Sequence, residues 1–285
     1  MRLVALAPGK VNLCLYVGAP RGDGYHPLVS VFQAVTLADE LTLTPSQGDA
    51  DEVVCAGVEG PNLAGAALDA YRQASGWDGP PVRLTIVKRV PIAAGMGGGS
   101  GDAAAALRLA AHAAGRPGDP LIDELAPRLG ADVPSQIRPG RALVTGIGEQ
   151  VTDLAPGPPE AFVIVPSPAA LSTPAVYREA DRLRSVRADL TAARAEVEAA
   201  LAAGAGLPAV NDLQPAALSL CPSIEQALRD VAAAGATSAL VSGSGPTVFG
   251  TFDDPERAVA TAAALPGAVA LRPATAADAA VRELA

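Results

Sequence analysis

Lysine is nearly absent from this chain. Of its 21 basic residues only Lys10 and Lys88 are lysines, and the other 19 are arginines. Arginine offers a planar fork and lysine a compact, mobile point charge, so a lysine kept in such a background marks a place where the fork does not serve. Lys88, next to Arg89, also reads simply as the end of a strand. Basic charge as a whole is short as well: 30 acidic residues give a formal net charge of −9 and a pI near 4.7. Nucleic acid and acidic membrane surfaces are thereby excluded as partners, because both need a basic face. A phosphorylated ligand has to be held by local geometry.

Cysteine is scarce too. Cys14, Cys55 and Cys221 are widely spaced in apolar surroundings, which excludes a disulfide framework or a zinc site and leaves small buried hydrophobes in a reducing compartment. No run reaches the roughly 18 apolar residues of a membrane span. Pro8 and Lys10 interrupt the apolar start, and neither a basic leader nor a small-residue cleavage site is evident. The expectation is a soluble, untargeted, cytoplasmic protein. Missing motifs narrow the chemistry further: there is no Gly-x-x-x-x-Gly-Lys-Ser/Thr, no His-Arg-Asp and no Gly-x-Ser-x-Gly, which sets aside P-loop enzymes, protein kinases and serine hydrolases.

What the chain has is glycine in one place. Gly95, Gly97, Gly98, Gly99 and Gly101 fall within seven positions, between an apolar strand (Val82, Leu84, Ile86) and an alanine-rich helix. Glycine takes positive φ and carries no Cβ, so such a loop turns several N–H groups toward one point. A helix starting near Ser100 or Asp102 adds the positive end of its dipole, worth roughly 0.3–1 kcal/mol per anionic charge. The layout is a phosphate cradle. Gly99-Ser100-Gly101-Asp102-Ala103-Ala104 also fits a dinucleotide fingerprint, but the acidic residue expected about 20 positions on would be Asp119, which lies in a Gly/Pro turn and reads as surface loop.

At 285 residues and 49% apolar, the chain suits two modest domains. Alternation marks strands at 11–17, 29–35, 41–44, 53–56, 82–88 and 141–146, an antiparallel sheet in the first third, with helices at 62–75, 102–114 and 121–129. Ala155-Pro156-Gly157-Pro158-Pro159 continues neither helix nor central strand, so the boundary falls there, giving domains 1–154 and 155–285. The second has strands at 162–165, near Ala239, at 248–252 and at 269–271, and helices at 174–183, 190–203 and 224–234: a small α+β sandwich.

Several other segments carry chemistry. Lys10 and Asn12, in Pro8-Gly9-Lys10-Val11-Asn12, sit two apart on an extended segment and so face one site, although a lone strand lysine is ordinarily a solvated charge. The loop Gly22-Asp23-Gly24-Tyr25-His26-Pro27 offers an aromatic ring beside one of only two histidines, which suits a stacked base. Asp132, in Gly130-Ala131-Asp132-Val133-Pro134, reads first as a helix cap or turn former and alternatively as a general base for a hydroxyl. The second glycine cluster, Ser242-Gly243-Ser244-Gly245-Pro246, follows a strand and can close the phosphate site from the other domain.

Taken together and in order, Pro-Gly-Lys, the Pro-x-x-x-Gly-x-Gly-Gly-Gly-Ser loop from Pro91, Gly-Ala-Asp-Val-Pro and Ser-Gly-Ser-Gly-Pro resemble the GHMP small-molecule kinases. Arg-x-Asp-Gly-Tyr-His, here from Arg21 to His26, is similar to the branch acting on a cytidine-diphosphate-linked methylerythritol in non-mevalonate isoprenoid synthesis. The resemblance spans essentially the whole chain. It implies an α+β fold of an N-terminal ribosomal-S5-like domain and a C-terminal ferredoxin-like sandwich with the active site in the cleft between them. It places ATP, with Mg²⁺, under Pro91 and Gly95 to Asp102, closed by Ser242 to Gly245, with Ser100 or Asp102 near the ion. Tyr25 and Tyr177 would sandwich the cytosine, His26 would read its edge, Asn12 and Thr173 would complete the substrate site, and Lys10 and Asp132 would flank the acceptor hydroxyl. Gln214, in Asn211-Asp212-Leu213-Gln214, replaces the family's acid, and Gly101 and Ser135 replace its usual small polar and aromatic residues. Monomer and homodimer both remain open.

Overall fold

The computed structural model describes every residue except Glu59, Pro61 and Ala285. Two long antiparallel strands, β1 (Leu3–Val17) and β2 (Leu28–Pro45), run through its centre and are buried along almost their whole length. Pro8 and Gly9 were expected to precede a strand; they lie inside one. Proline is tolerated there because the register shifts between Pro8 and Lys10, and again between Asn12 and Cys14. These bulges free the Lys10 N–H from the ladder, and it donates instead to the Met96 carbonyl of the glycine loop (2.9 Å).

The expected strands at 29–35 and 41–44 are likewise one strand that changes partner along its outer edge. Residues 30–33 of β2 pair β5 (Arg141–Thr145), and residues 40–45 pair β4 (Val82–Val87). β3 (Glu52–Cys55) adds to β4 in parallel, the one departure from the antiparallel expectation in this sheet, and β6 (Gln150–Leu154), which the alternation did not reveal, adds to β5. One face of this sheet is covered by α1 (Leu63–Ser75), α2 (Gly98–Ala113), α3 (Leu121–Leu129) and α4 (Val133–Ile137). Alanine dominates α2 for a packing reason: Ala103 to Ala106, Ala110 and Ala111 are all buried between β1 and the neighbouring helices. A larger side chain there would force the helix off the sheet.

The second sheet has the order β10-β7-β9-β8, all antiparallel, from β7 (Ala161–Val165), β8 (Ser238–Val241), β9 (Val248–Phe252) and β10 (Val269–Leu271). With it run α5 (Thr173–Leu183), α6 (Thr191–Ala202), α8 (Ile224–Ala233), and two helices without an expectation, α7 (Gln214–Leu220) and α9 (Pro255–Ala264). The last strand, β11 (Arg282–Glu283), returns to pair β1. The α+β architecture of two sheets with helical cover is as expected.

The sheets share core. Val11, Tyr16 and Val35 pack with Phe162, Ile164, Val197 and Phe249, and the backbone N–H of Leu15 donates to Val210 O (2.8 Å) while Leu15 O accepts from Asp212 (2.9 Å). Asp212, 9% exposed, also accepts from Val17 N–H and from the Arg187 guanidinium. Beyond this seam the two halves open into a cleft.

Candidate active site

Helix α2 begins at Gly98, earlier than the Ser100 or Asp102 start read from the sequence. Gly97 is its N-cap, in the left-handed region at φ 67°, and no side chain caps the first turn. The N–H groups of that turn are therefore available to an anion, with the dipole of a 16-residue helix behind them. Gly95, at φ 76°, is required for contact between the loops. A Cβ there would stand 2.0 Å from the Ser242 carbonyl oxygen, and the Ser242 hydroxyl donates to Gly95 O (3.0 Å).

The second glycine cluster is fixed from behind. Asn211 donates from Nδ2 to the carbonyls of Val241 and Gly243 (2.8 Å each), and Gln214 Oε1 accepts from Val241 N–H (2.9 Å). An acid at position 214 would accept the same bond, so the replacement by glutamine leaves the loop anchored. Ser244 pairs with the Thr173 hydroxyl (3.0 Å), tying the start of α5 to the cluster.

Lys10 lies against this junction with its side chain only 6% exposed. Its ammonium donates to Asn12 Oδ1 (2.9 Å), stands 3.4 Å from Asp132 Oδ2 and sits 4.4 Å from the centre of the Phe32 ring. Asn12 in turn donates to the Ser30 hydroxyl. The solvated-strand reading of Lys10 therefore fails. Asp132 holds the N-cap position of α4, but its side chain makes no cap hydrogen bond. Its backbone carbonyl accepts from the Ser135 hydroxyl (2.8 Å), leaving the carboxylate to Lys10. The other end of α4 is clamped by Arg108 of α2, which donates to the carbonyls of Gln136, Ile137 and Leu6. Burial lowers the Arg108 guanidinium to about 10.

A cavity of about 990 Å³ runs along the cleft. It gathers Lys10, Asn12, Tyr25, His26, Asp132, Thr173 and Tyr177 together with Pro91, Gly95, Gly97 to Ser100, Asp102, Gly243 and Ser244. Gly101, Ser242 and Gly245 do not line it. Gly101 serves packing, with Pro8 O 3.2 Å from where its Cβ would be; Ser242 is fully buried; and Gly245 precedes a cis proline.

At one end His26, 8% exposed, donates from Nδ1 to Gly18 O (2.8 Å), which turns Nε2 toward Asp181 Oδ2 (3.4 Å). Its ring centroid lies 5.0 Å from that of Tyr177 at 44°. Burial first, and then the charge of Asp132, raise the Tyr177 hydroxyl to about 12, so the phenol stays neutral. Tyr25 stands 60% exposed on the rim.

The opposite end, lined by Cys55, Val58, Asn62, Leu63 and Ile92, was not legible in the sequence; Cys55, read as a buried hydrophobe, is a half-buried wall of the cavity there. Also missed was Asp39. This fully buried carboxylate accepts from Lys88 Nζ (2.5 Å), and Lys88 donates onward to Asp102 Oδ2 (2.7 Å). Lys88 is thus no plain strand end. Burial alone would lower its ammonium pKa, but the two carboxylates more than offset this and the net shift is upward. Burial pushes the Asp102 carboxyl above the usual carboxylate range; Lys88 pulls it back, and the neighbouring Asp39 carboxylate adds a smaller push upward. Among the described residues, Asp102 Oδ1 has no hydrogen-bond partner. A signal for Asp39 was present: it shares strand parity with the core residues Leu41 and Leu43, and a charge on a core face needs a partner.

Comparison with known proteins gives the family of the chain. Residues 62–140 match the family described as GHMP kinases N terminal domain, and residues 190–270 match GHMP kinases C terminal. A protein of Streptomyces avermitilis named 4-diphosphocytidyl-2-C-methyl-D-erythritol kinase is 43% identical over 279 residues, 93% of either chain. A crystal structure of 4-(cytidine 5'-diphospho)-2C-methyl-D-erythritol kinase superposes with a TM-score of 0.78 at 36% identity, over 95% of this chain and all of the other. Homoserine kinase from Cytophaga hutchinsonii, at 17% identity over 99% and 97% of the two chains and a TM-score of 0.69, shares the fold.

Proposed function

We infer the reaction from one premise: this chain belongs to the GHMP kinase family and, within it, to the 4-diphosphocytidyl-2-C-methyl-D-erythritol kinases, and is a phosphotransferase. We propose that it transfers the γ-phosphoryl group of ATP to the 2-hydroxyl of 4-diphosphocytidyl-2-C-methyl-D-erythritol, giving the 2-phosphate and ADP, a step toward isoprenoid precursors by the non-mevalonate route. The observation that carries this reading is the 3.4 Å pair of Lys10 and Asp132, set beside the glycine loop in a cavity that also holds Tyr25, His26 and Tyr177.

The acceptor oxygen attacks the γ-phosphorus as the bond to the bridging β–γ oxygen breaks, and ADP leaves. Asp132 takes the hydroxyl proton. Lys10, held in place by Asn12, orients that carboxylate and offsets negative charge on the transferring group. The first-turn N–H groups of α2 receive phosphate oxygens. At the far end, a base fits the apolar wall of Cys55, Val58 and Leu63. At the near end, the rings of Tyr25 and Tyr177 flank the cytosine and His26 meets its edge.

Magnesium carried by the nucleotide would supply charge neutralisation at the phosphates. Among the described residues no cluster of three or more His, Cys, Asp or Glu could hold a metal by itself, so such an ion would depend on nucleotide oxygens for most of its ligands. The buried, unpartnered Oδ1 of Asp102 and the nearby Ser100 fit as the residues facing it.

ADP release measured with the cytidine-linked substrate, homoserine and mevalonate tests the assignment. Turnover with the first alone is expected. Equal or faster turnover with either of the others would overturn it, because neither has a base for Tyr25, His26 and Tyr177 to hold.

A further inference from the structure

We propose that Lys88 is a second positioning ammonium of the phosphate loop: backed by Asp39, it ties the two ends of that loop together and sets nucleotide affinity, leaving the acceptor side untouched. The proposal rests on the kinase reading only in taking a nucleotide as the ligand of the loop.

One buried carboxylate organises the loop's entry. Asp39, on β2, accepts from the backbone N–H groups of Arg89 (2.5 Å) and Val90 (2.8 Å) through Oδ1 and from Lys88 Nζ through Oδ2. Residues 88–90, where the chain leaves β4, are thereby fixed to β2. The same ammonium reaches Asp102 in the first turn of α2, where the loop ends, at 2.7 Å. A bridge of three side chains, Asp39, Lys88 and Asp102, therefore spans the intervening loop.

Nζ of Lys88 also lies 3.3 Å from where a Cβ on Gly98 would stand, and the Lys10 stem lies 3.2 Å from the corresponding point on Gly97. The two lysines of an arginine-rich chain thus flank the same two residues of the cradle. A compact ammonium meets both carboxylates from a single atom and lies close to the start of α2, a point contact that the broader, planar guanidinium does not reproduce. A buried ionic cluster adds little net stability over an apolar one, so its presence beside the loop points to a task other than holding the fold.

The test is calorimetric binding of a magnesium-loaded, non-hydrolysable ATP analogue, with cytidine diphosphate as the acceptor-side probe, to the wild type, Lys88→Met, Lys88→Arg, Asp39→Asn and the Lys88→Met/Asp39→Asn pair. Loss of a charge-assisted contact of this kind is expected to weaken analogue binding about tenfold or more in Lys88→Met, with Asp39→Asn changing it in the same direction. The double variant should be no worse than Lys88→Met, because the pair acts as one unit. Lys88→Arg should not restore affinity, and cytidine diphosphate binding should stay within about twofold, as expected for a site with no shared partners.

Unchanged analogue affinity in folded Lys88→Met overturns the proposal. So does a parallel loss of cytidine diphosphate binding, which signals general loosening. Should Lys88→Met not fold, Asp39→Asn decides alone, since it leaves a neutral Lys88–Asp102 pair, and unchanged analogue affinity there has the same force. Failure of the wild type to phosphorylate a cytidine-linked acceptor would overturn the proposed reaction and leave this binding result standing.

Discussion

Replacing Asp132 by asparagine removes the proposed base and changes little else. At 3.4 Å, and with an effective dielectric near 20, the gross attraction between Lys10 and Asp132 is about 5 kcal/mol, most of it offset by desolvation of the buried ammonium. Lys10 keeps Asn12 Oδ1 and the Phe32 ring in the variant, and the Asp132 side chain is 31% exposed. The cost to folding should therefore be on the order of 1 kcal/mol. A positioned general base contributes about 10²–10⁴ in rate, which is about 2.7–5.4 kcal/mol of barrier. The kinetic effect thus exceeds the structural one. Steady-state ADP release should show kcat lowered by that factor, while calorimetry shows nucleotide affinity within about threefold of wild type, since the carboxylate does not hold the phosphates. A near-normal kcat would remove Asp132 from proton transfer and refute the reasoning.

Gly95→Ala should lose at least about 2 kcal/mol in urea unfolding and bind nucleotide poorly, because the new Cβ would stand 2.0 Å from Ser242 O at φ 76°; an unchanged midpoint would contradict the loop contact. Arg108→Met should destabilise by about 3 kcal/mol through carbonyls left without a donor, since the guanidinium serves Leu6, Gln136 and Ile137; a thermal melt within error of wild type would contradict this. Asp102 has a pKa raised from 3.8 to about 7 in the fold, chiefly by burial, so its contribution to stability is full below pH 3.8 and is lost as pH rises through about 7. The Tm of wild type minus that of Asp102→Asn should therefore fall between pH 4 and 7; a flat or rising difference would contradict that environment.

Residues that sit in local motifs were legible in the sequence. The glycine loop, Lys10 with Asn12, and Tyr25 with His26 are each a short segment whose conformation follows from its own residues, and the cavity contains them all. Asp132 was ambiguous because its cap position is real in α4; the missing cap bond and the arrival of Lys10 from β1 set the cap role aside, and both come from the fold. Asp39 and Lys88 each left a local sign in the sequence, but their pairing did not, as it spans 49 positions between β2 and the end of β4. The early start of α2 at Gly98 runs against helix propensity, which glycine lowers by about 1 kcal/mol per residue. Close packing of Gly101 against Pro8 and Ala7 of β1 overrides it. The part of the cavity wall made by Cys55, Val58, Asn62, Leu63 and Ile92 belongs to no local motif, and only the fold places these residues together.

The central claim is that Lys10 and Asp132 act on one hydroxyl beside the terminal phosphate of a nucleotide seated on the glycine loop. A crystal structure with a non-hydrolysable ATP analogue and the cytidine-linked substrate measures this directly. The account predicts the γ-phosphate over Gly97 to Ser100 and the 2-hydroxyl within hydrogen-bond distance of Asp132, with Lys10 beside both. A nucleotide seated away from the loop, or an acceptor hydroxyl out of reach of that pair, would contradict it.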